Sequence, residues 1–130
     1  MTRDEFTEYT QAFSRCDYEG YARFYTDDVE LELGSVGVIR GPRAIVDFYR
    51  EMNKAVRESL DVHQVVMDEG GIAADVTMTF RAHEDAPDFV IAPLKKGQSV
   101  SSGLLAFYTL RDGKIARIRT ARRGPLTGPA

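Results

Sequence analysis

The periodicity of the chain changes at Ser59. Before that point apolar residues recur at three- and four-residue spacing, and after it they alternate singly with polar ones. The two periods belong to a helix face and to a half-buried strand. A chain with helices in front and strands behind cannot interleave them as a parallel α/β sheet does. It has to lay the helices over one face of a mainly antiparallel sheet, which makes it α+β.

Thr2-Arg3-Asp4-Glu5 has the form of a capping box, and Phe6, Tyr9 and Phe13 follow on one helical face. Asp17 is placed to cap a short second helix carrying Tyr18, Tyr21, Ala22 and Tyr25, ended by Thr26-Asp27-Asp28. Residues 29–33 alternate strictly and read as a strand. Residues 34–41 form a turn-rich connection with room for a short strand at 36–39. Gly41-Pro42 then opens a third helix with proline in its first turn, and Ile45, Phe48, Tyr49, Met52 and Val56 form its buried stripe.

Four strands are expected beyond Ser59, over residues 60–67, 72–83, 98–110 and 114–123. Asp68-Glu69-Gly70-Gly71 and Asp112-Gly113 supply hairpin turns, and a two-proline loop occupies 84–97. The order is α-α-β-α-β-β-β-β. On the second of these strands Val76, Met78 and Phe80 are assigned to the covered face, with Asp75, Thr77, Thr79 and Arg81 outward. One domain is expected over 1–123, and 124–130, rich in glycine and proline, reads as a flexible tail.

With 130 residues, 43% apolar, the chain can build one core. A net charge of −3 gives no reason to expect nucleic acid or a membrane surface as partner. A single cysteine, Cys16, allows no internal disulfide, and the acidic start (Asp4, Glu5, Glu8) is unlike a secretory signal. Cytoplasmic surroundings are the default reading. No metal-ligand cluster, P-loop or dinucleotide fingerprint is present in the sequence, so no cofactor is expected.

The strings from Asp17-Tyr18-Glu19-Gly20 to Phe24-Tyr25-Thr26-Asp27-Asp28-Val29 carry a family resemblance. So do Arg40-Gly41-Pro42-Arg43-Ala44-Ile45 with Phe48-Tyr49, and Asp112-Gly113-Lys114-Ile115 before an arginine-rich strand. In these the chain resembles the SnoaL-like and ketosteroid isomerase-like members of the nuclear transport factor 2-like superfamily. That superfamily also includes scytalone dehydratase and limonene epoxide hydrolase. The resemblance covers nearly the whole chain. It implies a cone-shaped sheet wrapped around the helices, an internal apolar cavity and a homodimer. It is specific for fold and weak for activity, since one scaffold hosts many chemistries.

Residue by residue, the resemblance puts Tyr9 where ketosteroid isomerase carries its oxyanion-binding tyrosine. The isomerase base falls on Leu33 and its second acid near Ala106, so two of three roles are missing. Arg81-Ala82-His83 only approximates the epoxide hydrolase pair, and Phe13-Ser14 does not match the dehydratase pair. His63 lies on the strand where dehydratases and many SnoaL-like proteins carry a histidine.

The residues themselves nominate His63 as a general base, with Asp61 on the same strand face to orient the imidazole or to act as base itself. Tyr9 is nominated as a hydrogen-bond donor to a developing oxyanion. Leu33, Tyr49, Val76, Met78, Phe80, Ala106 and Tyr108 are expected to wall the pocket, with Arg122 near its mouth. Asp27-Asp28 reads as turn and capping chemistry, and Arg117, Arg119 and Arg123 as a surface stripe. Two functions remain open. One is a cofactor-free isomerase, cyclase or dehydratase acting on a small apolar molecule. The other is a non-catalytic ligand-binding or dimerisation module.

Overall fold

The structure is a computed structural model describing residues 1–34 and 37–130. Helices α1 (Arg3–Ser14) and α2 (Tyr18–Ala22) lead into β1 (Tyr25–Leu33) and β2 (Gly37–Arg40). Helix α3 (Pro42–Met52) precedes β3 (Val56–Met67), β4 (Gly71–Ala82), β5 (Ser99–Arg111) and β6 (Lys114–Thr127). The six strands form one curved sheet in the order β2-β1-β6-β5-β4-β3. All neighbours are antiparallel except β1 and β6, which run parallel with Leu31 opposite Ile118. The α+β class and the antiparallel-rich sheet follow the sequence reading.

Local chemistry fixes the helix ends. The Thr2 hydroxyl accepts from the Glu5 amide while the Glu5 carboxylate accepts from the Thr2 amide. The Asp17 carboxylate accepts from the Gly20 amide. In the β5–β6 turn Asp112 and Gly113 both take positive φ, 53° and 77°, as a type I′ hairpin requires.

Four boundaries differ from the sequence reading. Tyr25 opens β1 instead of ending α2, because the first strand begins before its alternating stretch. Val56 belongs to β3, not to the third helix: α3 stops at Met52, and β3 starts four residues earlier than its alternation suggests. The second strand covers Gly37–Arg40; Val36, expected to begin it, lies outside the described residues. The last strand runs beyond Arg123 to Thr127, which sits opposite Ser101, and Ala130 exchanges backbone hydrogen bonds with Ser99.

Along β4, Ile72, Ala74, Val76, Met78 and Phe80 are buried, and Thr77, Thr79 and Arg81 turn the other way. Aromatic side chains from α1, α2 and β1 fill the space under the sheet. Tyr9 is central, with its ring 5.8–6.4 Å from those of Tyr21, Phe24, Tyr25 and Tyr108. These edge-to-face contacts hold the first helix at the middle of the concave face.

Strand phase makes a measurable distinction. Ile72→Ala removes a fully buried side chain and should cost about 2–5 kcal/mol. Arg81→Ala, exposed on the outward face of the same strand, should change stability by less than about 0.5 kcal/mol. Denaturant midpoints of the two variants check this.

Candidate functional site

Between the sheet and the helices lies a pocket of about 350 Å³. Its floor is Tyr9, Phe13 and Tyr25. Met78, Phe80, Leu104, Tyr108 and Ile118 come from the sheet, and Phe48, Tyr49 and Met52 from α3. The loop between β4 and β5 contributes Phe89, Val90 and Ile91, with the Phe89 ring 5.1 Å from that of Phe80. A mainly apolar concave site with a few polar groups is the usual form of a small-molecule site.

The polar groups are few. The Tyr9 and Tyr25 hydroxyls bond to each other at 2.9 Å. One hydroxyl hydrogen is used in that bond, which leaves the pair a single hydrogen for a ligand. Tyr49 and Tyr108 also line the pocket, and among the described residues neither hydroxyl makes a hydrogen bond. Burial pushes all four phenols above their ordinary range, so they are neutral donors. Thr120 and Arg122 of β6 complete the set on the wall, with one further residue, Glu58.

Glu58 stands on β3 opposite Phe80, between Val56 and Leu60 on the covered side. By surface area it is partly buried, and it lines the pocket. It has no hydrogen bond or ion pair among the described residues. Desolvation alone pushes its carboxyl up to about 8, against an ordinary 4.5. Its charge in turn contributes to the raised Tyr49 and Tyr108 phenols, second in each case to burial. A carboxyl kept protonated near neutral pH in an apolar pocket can give up a proton that an exposed glutamate would already have lost.

Several sequence-predicted residues meet in this pocket: Tyr9, Leu33, Tyr49, Met78, Phe80, Tyr108 and Arg122. Val76 and Ala106 are both buried on the covered face, as expected, but neither is among the residues lining the pocket. His63 and Asp61 are not brought to it. His63 is exposed and its Nε2 lies 2.7 Å from the hydroxyl of Thr77, an outward residue of β4. Asp61 stands opposite the same Thr77. The β3–β4 register slips between Val62 and Gln64, but His63 stays on the outer side with Asp61. A base there cannot touch a ligand held under the sheet. Among the described residues no group of three His, Cys, Asp or Glu side chains is arranged to hold a metal ion. Among the described residues no helix is long and apolar enough to cross a membrane.

Glu58 escapes the sequence reading because that reading gives Val56 to the third helix and starts the strand only at Leu60. The available signal was the spacing of Val56, Glu58 and Leu60, which puts the glutamate on an apolar strand face once the strand starts at Val56.

The SnoaL-like domain model matches residues 6–118. The chain belongs to the SnoaL-like domain family. Among solved structures it is similar to a candidate polyketide cyclase from Xanthomonas campestris pv. campestris, at 25% identity and a TM-score of 0.76, over 90% of this chain and 86% of that one. It is equally similar to one from a Silicibacter species, at 25% identity and a TM-score of 0.77, covering 92% and 87% of the two chains. An LEH-like epoxide hydrolase of M. tuberculosis shares the fold at 18% identity and a TM-score of 0.73, over 92% and 80%. A comparison with curated protein sequences gives no match.

Titration of Glu58 has a defined sign. The unfolded carboxyl ionises near 4.5 and the folded one at about 8, so the folded state holds the extra proton between those values. This contribution to stability is complete below about pH 4.5 and is lost as pH rises toward 8, by up to about 1.4 kcal/mol per pH unit. Denaturation midpoints across that window should show Glu58→Gln losing this decline relative to the unmodified protein.

Proposed function

We propose that the protein is a cofactor-free acid–base enzyme acting on a small, largely apolar molecule with a carbonyl or hydroxyl oxygen. Glu58 is the proton-transferring group in this reading. The carrying observation is a lone carboxyl, desolvated and without a partner, in the wall of an apolar pocket beside two unpaired phenols. The similarity to candidate polyketide cyclases supports a substrate of that general character.

Isomerisation, aldol-type cyclisation and dehydration all begin by stabilising charge on an oxygen. A protonated Glu58 and the phenols of Tyr9, Tyr25, Tyr49 and Tyr108 supply donors for it, and exclusion of water strengthens them. Dehydration is the simplest chemistry for one carboxylic acid. Glu58 gives its proton to a leaving hydroxyl, the C–O bond breaks and water departs. The carboxylate then takes the proton from the adjacent carbon, the C–H electrons form the double bond, and Glu58 is protonated again. On this mechanism the acid form is active, so kcat/KM should fall as pH rises through about 8. With an aldol or β-hydroxyketone substrate that turns over, Glu58→Gln should lower kcat/KM by about 10²-fold or more. Tyr9→Phe should lower it by about 10-fold. Full activity of Glu58→Gln would overturn the assignment, and tight binding without turnover would make the protein a binding module.

The second element of the reading is a homodimer through the outer sheet face. Val66, Leu105 and Phe107 are 61%, 50% and 40% exposed there, around a shallow groove with Ala73 and Ala121 on its sides. Exposed apolar area of this kind, rimmed by Gln64, Asp75 and Arg119, suits a self-complementary interface. Light scattering at micromolar concentration should give twice the chain mass, and Phe107→Glu should halve it. A monomer mass for the unmodified protein would dismiss the interface.

A further inference from the structure

The last strand carries four arginines between Arg117 and Arg123, and three have evident partners. Arg117 binds Glu32 through both Nε and Nη2. Arg119 lies over the Phe107 ring, 5.1 Å from its centroid. Arg123 donates to Asp75 at 3.1 Å. These three are on the outer side of the sheet, where Thr109, Phe107 and Gly103 stand opposite them. Arg122 has the other phase. It sits opposite Leu104, whose side chain is buried, and it lines the pocket. Among the described residues it makes no hydrogen bond and no ion pair, although acids outnumber bases in the chain by 20 to 17.

Apart from Glu58 and the tyrosines, Arg122 is the one ionisable acid or base among the described residues that line the pocket. No carboxylate competes with a ligand for it when Glu58 carries its proton. The residue itself is exposed, so the guanidinium stands at the mouth, and the apolar walls lie further in. A planar cation with fixed donors selects a planar or tetrahedral anion by paired hydrogen bonds.

We propose that the ligand is amphipathic, an apolar body carrying one carboxylate or similar anionic group, which Arg122 anchors at the pocket mouth. The proposal deepens the acid–base reading, since it specifies the substrate of the same pocket. An anion held by Arg122 fixes the register of the apolar body, so that the oxygen to be protonated is carried inward toward Glu58 and the phenols. Arg122 is then a specificity-determining residue and has no part in proton transfer.

Two naphthalene dyes that differ only in a sulfonate test this: anilinonaphthalene sulfonate and the uncharged phenylnaphthylamine. Both are titrated by fluorescence at low salt and pH about 6.5 into the unmodified protein, Arg122→Gln, Glu58→Gln and Met78→Trp, the last filling the pocket. Arg122→Gln should weaken the sulfonate dye by about 10-fold or more and leave the neutral dye within about 2-fold, the scale of one charge-assisted contact. About 0.5 M salt should narrow the difference between the dyes. Met78→Trp should weaken both. Equal loss of both dyes in Arg122→Gln, or no loss of either, overturns the anchor. So does sulfonate binding that survives Met78→Trp, because the dye then sits elsewhere, as in the groove beside Arg119. Glu58→Gln should leave the Arg122-dependent preference in place. An intact preference alongside a fully active Glu58→Gln enzyme would therefore discard the acid–base reading and keep the anchor.

Discussion

Everything in this molecule hangs on the contact between the first helix and the concave side of the sheet. A sheet with one apolar face must be covered, and α1 does this through Phe6, Tyr9 and Phe13. Tyr9 touches rings from α2, β1 and β5, so one side chain ties together the parts of the chain on either side of the change in period. The cover is incomplete. Where the aromatic cluster ends and α3 begins, the curved sheet and the helices do not meet, and the gap between them is the pocket.

Incomplete cover explains why a glutamate can stand where a core residue would otherwise be. In a packed interior an unpaired carboxyl would be strongly destabilising. Beside the pocket Glu58 keeps part of its surface accessible, and desolvation pushes its carboxyl up to about 8. The same geometry leaves the Tyr49 and Tyr108 hydroxyls without partners among the described residues. The site is thus a set of donors that the fold itself leaves unsatisfied, in surroundings where a ligand oxygen would be the best available acceptor.

Periodicity carried the fold. Val76, Met78 and Phe80 alternate with threonines without interruption, so the sheet face they occupy was evident from their order, as were the capping box at Thr2 and the turn at Asp112-Gly113. The pocket wall was legible for the same reason at Leu33, Tyr49, Tyr108 and Arg122. The catalytic candidates were less so. His63 drew notice as a residue type, but with Leu60 on the covered side its strand turns Asp61 and His63 outward, and the start of that strand at Val56 lay in the stretch assigned to the third helix. That error of boundary removed Glu58 from view, because a glutamate at a helix end looks solvated and the same glutamate on a covered strand face does not. Burial is set by tertiary register, and three residues of local sequence do not contain it.

The parallel pairing of β1 with β6 has a consequence for how the protein is made. Leu31 meets Ile118, so β1 and β2 stay unpaired with the rest of the sheet until almost the whole chain has been synthesised. Contacts between distant parts of a sequence close slowly, since the loop entropy is lost before the contact forms. On the ribosome the meander of β3, β4 and β5 can assemble early, but the edge of β1 that β6 covers must wait open. Nascent chains of this architecture therefore pass through a stage in which β1 presents one unpaired edge to whatever is nearby, and it ends only when the final strand slides between β1 and β5.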